Sequence, residues 1–525
     1  MGQLNSQDLY RALWASADEM RKVMSAEVYK DYLLGLTFYK YLSDKQLYDV
    51  VDLLEDRKPA DLDEAQSVYE QVNSEEQDDL KEELEDKYGY AIPPQYTFTA
   101  FYHRINDHTF MLSDLRQAFR DIEQSQGGAY EGLFDDFDIT SKDLGSTPEK
   151  RNGMISAVMK KMAAIDFTGY GTDALGDAYE YLIAQFASES GKKAGEFYTP
   201  QSVAKVISRI IAYGRERKEA LTMYDPTCGS GSLLLQIRNF MHKGTDGDYT
   251  RHIHYFGQEI NHQTYNLARM NMMLHQIPVT YQHLRNGDTL DEDWPTDEPT
   301  TFDGVAMNPP YSLPWSAKES FLQDPRFASY EKLAPKNKAD FAFLLHGFYH
   351  LKHDGTMGIV LPHGVLFRGG AEGTIRKHLL EMGSIYAVIG LPAGIFYNTS
   401  IPTCVIILKK NNTERSVFFI DASKEFKKER AQNFLTDDNV DKIVQTYIAR
   451  ADVEKYAHLA PYEEIVENEF NLNIPRYVDT FEPEPEVDLN AAFATLHQVE
   501  QEERVVDKTL QRFFHELELD TKDGE

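Results

Sequence analysis

The chain has 525 residues and a formal net charge of −31, with 85 Asp and Glu against 54 Lys and Arg. This balance argues against a protein that grips duplex nucleic acid unaided, because such binding is dominated by Lys and Arg contacts to phosphate; if DNA is the substrate, another subunit holds it. The 42% apolar content suits ordinary globular packing, the length suits roughly two to four domains, and no apolar run of about 18 residues or signal-peptide pattern opposes a cytoplasmic protein.

Two cysteines, Cys228 and Cys404, suit a reducing compartment and exclude a disulfide framework or a cysteine-rich zinc site. The region to residue 165 reads as helical. Leu9, Leu13, Ala17 and Met20 recur at helical spacing, and the Tyr-, Leu- and Phe-rich segment 28–42 predicts a helix buried on more than one side. Acidic residues dominate 61–86, which reads as a solvated face, and Gly and Pro mark loops at 125–128 and 144–148.

From about Thr168 helix and strand alternate. A helix is predicted over 177–186, a loop over 188–195, and then Gly195-Glu196-Phe197-Tyr198-Thr199-Pro200-Gln201 opens another helix. Thr199 is expected as its N-cap and Pro200 at its first position, and a helix N-terminus can hold a ligand carboxylate. A short buried strand at 221–224 runs into Asp225-Pro226-Thr227-Cys228-Gly229-Ser230-Gly231-Ser232 and a following helix. The glycines permit close backbone approach by a ligand, but neither Gly-x-Gly-x-x-Gly nor a P-loop is present, so phosphate is disfavoured. Asp225 suits a cationic group such as an ammonium. Cys228 reads as packing, since no local His would activate it. The strand 253–258 ends in Glu259, placed to accept both hydroxyls of a ribose, and Asp288 follows the third strand, where it can accept from an adenine amino group.

The apolar run 302–307 ends in Asn308-Pro309-Pro310-Tyr311. Prolines stop a strand abruptly, at the sheet edge where ligands sit in open α/β folds. The Asn308 amide oxygen and the Pro309 carbonyl then offer two acceptors to one NH₂ group. An exocyclic amine on a heteroaromatic ring is a poor nucleophile, and acceptors that draw it toward tetrahedral geometry stabilise charge that develops only in the transition state. Tyr311 adds a flat face for stacking.

The long loop 312–338 carries Trp315, Phe321 and Phe327, and its length points to function. Helices are expected over 339–352 and 373–382, strands over 357–362, 386–391 and 403–408, with Phe396 in a Gly/Pro-rich loop at a strand end. From about Glu425 the chain is expected to be helical and acidic. Pro483-Glu484-Pro485-Glu486 reads as a stiff linker, and Leu489, Phe493, Leu496, Val499, Val506, Leu510, Phe513 and Leu517 fall near heptad spacing, a face that packs on a partner subunit or on its own domain.

In this order, Gly195 to Pro200, Asp225 to Gly231, Glu259, Asp288, Asn308 to Tyr311 and Phe396 resemble the amino-methylating DNA methyltransferases, and most closely the modification subunit of type I restriction-modification systems. The resemblance covers nearly the whole length. It implies an α/β, Rossmann-like S-adenosylmethionine-dependent methyltransferase domain at 166–425, a helical N-terminal domain at 1–165, and a helical C-terminal region and tail at 426–525 for subunit assembly. The implied product is N6-methyladenine. Glu196, Phe197, Tyr198, Thr199, Pro200 and Gln201, with Ser230, Gly231 and Ser232, would line the methionine end of the cofactor, with Asp225 near its ammonium and Thr227 and Gly229 also binding the cofactor. Glu259 would bind the ribose and Asp288 the cofactor adenine. Asn308 and Pro309, followed by Pro310, would orient the target amine, and Tyr311 and Phe396 would sandwich the flipped base. No metal is needed for the transfer. The implied partners are a specificity subunit, a second modification subunit, a restriction subunit carrying motor and nuclease, and double-stranded DNA, with no membrane. Competing readings are a stand-alone DNA adenine methyltransferase, a protein glutamine-amide methyltransferase and a non-catalytic assembly scaffold.

Overall fold

The computed structural model describes residues 6–517 apart from 126, 166, 168–173, 190–197, 217, 242–252, 397–399, 430, 431 and 481–487. The chain divides into two compact units, Met1–Asp479 and Thr480–Glu525. Among the described residues no helix is long and apolar enough to cross a membrane.

The first unit begins with helices whose apolar faces close on one another. Leu9, Leu13, Ala17 and Met20 are fully buried, as their spacing predicts, and join Phe101, Leu115, Ile155 and Met159 from three later helices. Helix Ala26–Glu55 is buried at every position from Tyr32 to Lys40, so neighbours surround it. The Lys40 ammonium inside it is paired with Asp44 one turn on, which satisfies a charge that burial alone would make costly. The acidic stretch forms helices Leu62–Glu70 and Ser74–Tyr88. Their few apolar residues, Ala65, Tyr69, Leu80 and Leu84, cover Leu47, Val50 and Val51 and leave the acids to solvent.

A mixed nine-stranded sheet follows. Its strands are β1 (Leu221–Asp225), β2 (Ile253–Glu259), β3 (Gln282–Asn286), β4 (Phe302–Met307), β5 (Leu351–Pro362), β6 (Ile385–Gly390), β7 (Thr403–Leu408), β8 (Val417–Asp421) and β11 (Ala457–Ala460); the short pair β9 (Lys427–Glu429) and β10 (Gln432–Phe434) stands apart. The order is β11-β8-β6-β7-β5-β4-β1-β2-β3. Strands β3, β2, β1, β4 and β5 run parallel, and β7 is antiparallel to both its neighbours. Strand β4 is buried at all its positions because helices cover both faces, the usual state of a parallel strand. Helices Gln201–Ala212 and Asp437–Ala449 pack on one face, and Asp340–Tyr349 and Gly370–Glu381 on the other. Gly304 on β4 lets Gln201–Ala212 close onto the sheet; a Cβ there would collide with Met223 and Ile211. From β1 the chain winds to β2 and β3 on one side, while β4 lies on the other, so the crevice at the carboxyl ends of β1 and β4 is a topological switch point.

Several boundaries differ from expectation. The helix predicted over 339–352 ends at Tyr349 and β5 starts at Leu351, because the run Leu351–Pro362 gains strand partners on both sides. The chain after 425 is not simply helical: β9, β10 and β11 lie there, β11 pairs antiparallel with β8, and Leu472, Ile474 and Val478 enter the core on the sheet. A four-residue edge strand such as Ala457–Ala460 has too few alternating positions to stand out in sequence. The Pro483 to Glu486 linker and the loop to Gly195 fall largely outside the described residues.

Asp303 anchors the opposite, amino-terminal end of the crevice strands. Its carboxylate accepts from the Thr222 N–H at 2.9 Å and hydroxyl at 2.8 Å, from Lys352 at 3.0 Å and from Lys218. These donors outweigh burial and hold its carboxyl at about 2. A carboxyl lowered on folding stabilises above its unfolded value of about 4, and that contribution is lost as pH falls toward 2. Asp303→Asn should therefore cost about 1–2 kcal/mol at pH 7, discounted for the part-exposed lysines. The gap in melting temperature from the wild type should narrow between pH 4 and pH 2; a pH-independent gap would reject the ionic account.

The second unit is described by helix Leu489–Glu516. Asp488 caps it, accepting from Asn490 N at 2.9 Å and Ala491 N at 3.1 Å. Leu489, Phe493, Leu496, Val499, Val506, Leu510, Phe513 and Leu517 are all exposed, and this unit has no second described element to cover them.

Candidate active site

The carboxyl ends of the parallel strands open on a cavity of about 610 Å³ lined by Thr227, Glu259, Asp288, Asn308, Pro310 and Trp315, among others. Thr227 follows β1, Glu259 ends β2, Asp288 follows β3 and Asn308 follows β4, so one sheet edge gathers residues from four separate stretches. The volume is that of a small-molecule or cofactor site.

The turn after β1 is held by its own side chains. Buried Asp225 accepts at Oδ1 from the Thr227 N–H at 2.9 Å and hydroxyl at 3.2 Å. Burial, with Glu259 nearby, pushes its carboxyl up to about 7. Gly231, at φ +77°, is the N-cap of helix Ser232–Gln236, a conformation an L side chain strains to adopt. The Gly229 N–H donates to Glu259 Oε2 at 3.1 Å, and Asn261 N–H donates to Oε1 at 2.8 Å. These bonds orient the Glu259 carboxylate, while burial is the larger influence and raises its pKa. Asp288 Oδ1 accepts from Leu290 N–H at 2.9 Å, fixing its turn at the cavity wall. Ser230 and Ser232 hydroxyls meet at 3.0 Å.

Asn308 is nearly buried. Its amide nitrogen donates to Thr199 Oγ1 at 3.2 Å, and its Oδ1 accepts from the Tyr311 hydroxyl at 2.9 Å. Among the described residues none donates to the Pro309 carbonyl. Thr199 departs from expectation: helix Gln201–Ala212 has Pro200 as N-cap, with no side-chain cap, and the Pro200 carbonyl accepts from Val203 and Ala204 at 3.0 Å. The Thr199 hydroxyl is thus free to hold Asn308. Tyr198, Pro200 and Gln201 line a separate, larger cleft of about 1500 Å³, which shares no lining residue with the cavity at the strand ends. Glu196 and Phe197 lie outside the described residues.

Tyr311 and Phe396 come together but do not form parallel plates. Their centroids are 6.0 Å apart at 86°, and Phe396 is 2% exposed. A sandwiched ring would require one of them to turn. Trp315 stacks on Phe321 at 5.5 Å and donates from Nε1 to the Pro335 carbonyl at 3.1 Å, pinning the loop after Tyr311 against the cavity. Gln258, Asn261 and Phe343 also line the cavity and carry no motif by which sequence alone would find them.

Asp293, His346 and His350 bring ligand-type atoms within 4.8 Å of one another. Their atoms are engaged by protein: His346 by the Tyr224 hydroxyl at 2.8 Å and the Arg326 guanidinium at 3.0 Å, His350 by the Thr300 carbonyl at 2.7 Å and Asp293 at 3.0 Å. Burial, then His350 and Arg326, hold His346 well below the usual imidazole range. This network braces β1 against helix Asp340–Tyr349.

The N-6 DNA Methylase family model matches residues 170–486, and the HsdM N-terminal domain model matches residues 9–162. The type I restriction enzyme MpnII methylase subunit of Mycoplasma pneumoniae is 33% identical over 97% of this chain and 96% of its own length. The crystal structure of the type I restriction-modification system methyltransferase subunit from Streptococcus thermophilus is 60% identical, with a TM-score of 0.87 over 91% of this chain and all of that one. A modification subunit of a type I restriction enzyme from Vibrio vulnificus, at 17% identity and a TM-score of 0.62, shares the fold over 92% of this chain and 98% of that one.

Proposed function

From the premise that this chain belongs to the N-6 DNA methylase family, as a type I restriction-modification methylase subunit, we propose that it methylates the N6 amine of adenine in double-stranded DNA, using S-adenosylmethionine, at sites chosen by a separate specificity subunit. Its enzyme class is the adenine-specific DNA methyltransferases, EC 2.1.1.72. The observation that carries the proposal is Asn308, held between Thr199 and Tyr311 at the edge of the cavity that Glu259 and Asp288 line.

The residues present fit the cofactor. Glu259, oriented by two N–H donors, suits the ribose hydroxyls, Asp288 on the same cavity wall suits an adenine amine as an acceptor, and the turn from Asp225 to Ser232, of which Thr227 lines the cavity, is assigned to the methionine end. When bound, S-adenosylmethionine supplies a methyl group on a sulfonium sulfur, the electrophile of the reaction. Asn308 Oδ1 and the Pro309 carbonyl accept the two hydrogens of the target amine and draw its nitrogen toward tetrahedral geometry. Tyr311, whose hydroxyl occupies Asn308 Oδ1 here, gives that oxygen up to the amine and offers its ring face to the base. Phe396 turns to cover the other face. Neither acceptor oxygen is basic enough to keep a proton, so the one the amine loses passes to solvent. Most of the acceleration is then placement of nucleophile and methyl in contact.

We assign residues 1–165 to a helical N-terminal domain and give the catalytic domain, expected over 166–425, the sheet and core residues that continue to Val478, which leaves the tail of the expected 426–525 region for assembly. The exposed apolar stripe of Leu489–Glu516 suits docking to another subunit of a complex that also holds a second modification subunit and a restriction subunit. Deleting the residues after Pro485 should weaken assembly with a co-expressed specificity subunit; a normal complex in gel filtration would reject this role. The substrate itself is tested by transferring labelled methyl to duplex DNA with the assembled complex and digesting to nucleosides. Label in N6-methyladenosine is expected, and label on a protein glutamine would overturn the proposal.

A further inference from the structure

Two buried acceptor oxygens beside the turn after β1, Glu180 Oε1 and Asn271 Oδ1, have no donor in full hydrogen-bond geometry, although the Asn271 and Ser232 side chains stand close enough to the Glu180 carboxyl to favour its charged form. Glu180 is 2% exposed and Asn271 fully buried. Glu180 stands on helix Ala174–Glu189 and Asn271 on helix His262–Leu274, and they meet at the start of Ser232–Gln236. The other halves of both groups are engaged. Gln201 Nε2 donates to Glu180 Oε2 at 3.2 Å, and Asn271 Nδ2 donates to the Ser230 carbonyl at 2.9 Å. The free oxygens thus lie between Gln201 and the Ser230 to Ser232 turn, the two stretches assigned above to the methionine end. Buried acceptors are rarely left without a donor, and two together call for a donor with several hydrogens, of which an ammonium has three.

We infer that Glu180 is a ligand-binding carboxylate, its Oε1 accepting, with Asn271 Oδ1, hydrogens of the α-ammonium at the amino-acid end of the methyl donor. This rests on the reading that the donor is S-adenosylmethionine. Asp225 is the other candidate for that contact, but its Oδ1 is already engaged by Thr227. Burial pushes the Glu180 carboxyl up to about 7, with Asp177 on the same helix adding to it, while Asn271, Gln201 and Ser232 oppose. Tyr10, from helix Ser6–Ser16, also interacts with it. A carboxyl so poised gives up its proton when a cation arrives.

The test is calorimetry on the full chain with two probes, S-adenosylhomocysteine, which carries the amino-acid end, and 5′-methylthioadenosine, which lacks it. Glu180→Gln should weaken S-adenosylhomocysteine about 10- to 100-fold, leave 5′-methylthioadenosine equal in the two proteins, and not lower the melting temperature of the ligand-free chain. Unchanged S-adenosylhomocysteine affinity would overturn the inference, as would an equal loss for both probes, which means Glu180 only shapes the site. If Glu180→Gln fails to fold, Asn271→Ser carries the same test with the same expected pattern. Failure of the wild type to bind S-adenosylhomocysteine would instead overturn the reading of the donor.

Discussion

Replacing Asn308 by alanine is expected to lower the rate of methyl transfer by about 10²–10³-fold, the usual cost of removing one pre-organised transition-state contact, while cofactor affinity measured by calorimetry stays nearly unchanged. The asymmetry follows from where Asn308 stands. Its amide is held at both ends, by Thr199 at 3.2 Å and Tyr311 at 2.9 Å, so it is oriented before any amine arrives, and only the Tyr311 hydroxyl has to give way. Cofactor contacts are assigned instead to Glu259, Asp288 and the turn after β1, on the neighbouring strand ends. Asn308→Asp keeps an acceptor but loses the donor to Thr199, so it should fall between wild type and alanine. A large loss of cofactor affinity in Asn308→Ala would mean that this residue serves the cofactor and not the amine.

The second large effect is all-or-none. Expressed alone, the chain should leave no N6-methyladenine in host DNA; co-expressed with its specificity subunit, it should methylate one defined sequence, read by single-molecule sequencing. Two observations converge on this. A net charge of −31 opposes unaided approach to a polyanion, and the helix Leu489–Glu516 carries an apolar stripe that its own unit leaves exposed. Methylation by the isolated chain would overturn the dependence on a partner and leave the chemistry of Asn308 untouched.

Much of the candidate site is legible in sequence because its residues sit at strand ends, and strand ends are marked locally. Asp225, Glu259 and Asn308 each close an apolar run, and prolines or glycines follow two of them. Glu180 shows the opposite case. In sequence it is one acid in a helix, and only the packing of Ala174–Glu189 against His262–Leu274 puts its free oxygen beside that of Asn271. Thr199 likewise reads as a helix cap until the fold sets it 3.2 Å from Asn308, 109 residues away.

By itself, then, the order of residues determined the alternation of helix and strand, the chemistry available at each strand end and, through composition, an acidic balance that opposes unaided binding to a polyanion. Those properties are local or summed over the chain, and no long-range geometry enters them. The tertiary structure decided which strands are neighbours, that β11 extends the sheet beyond 425, that Thr199 serves Asn308, and that Tyr311 and Phe396 stand edge to face. Each depends on contacts between residues distant in sequence, set by how helices close over a twisted sheet, and a spacing along one segment carries no record of its distant neighbours.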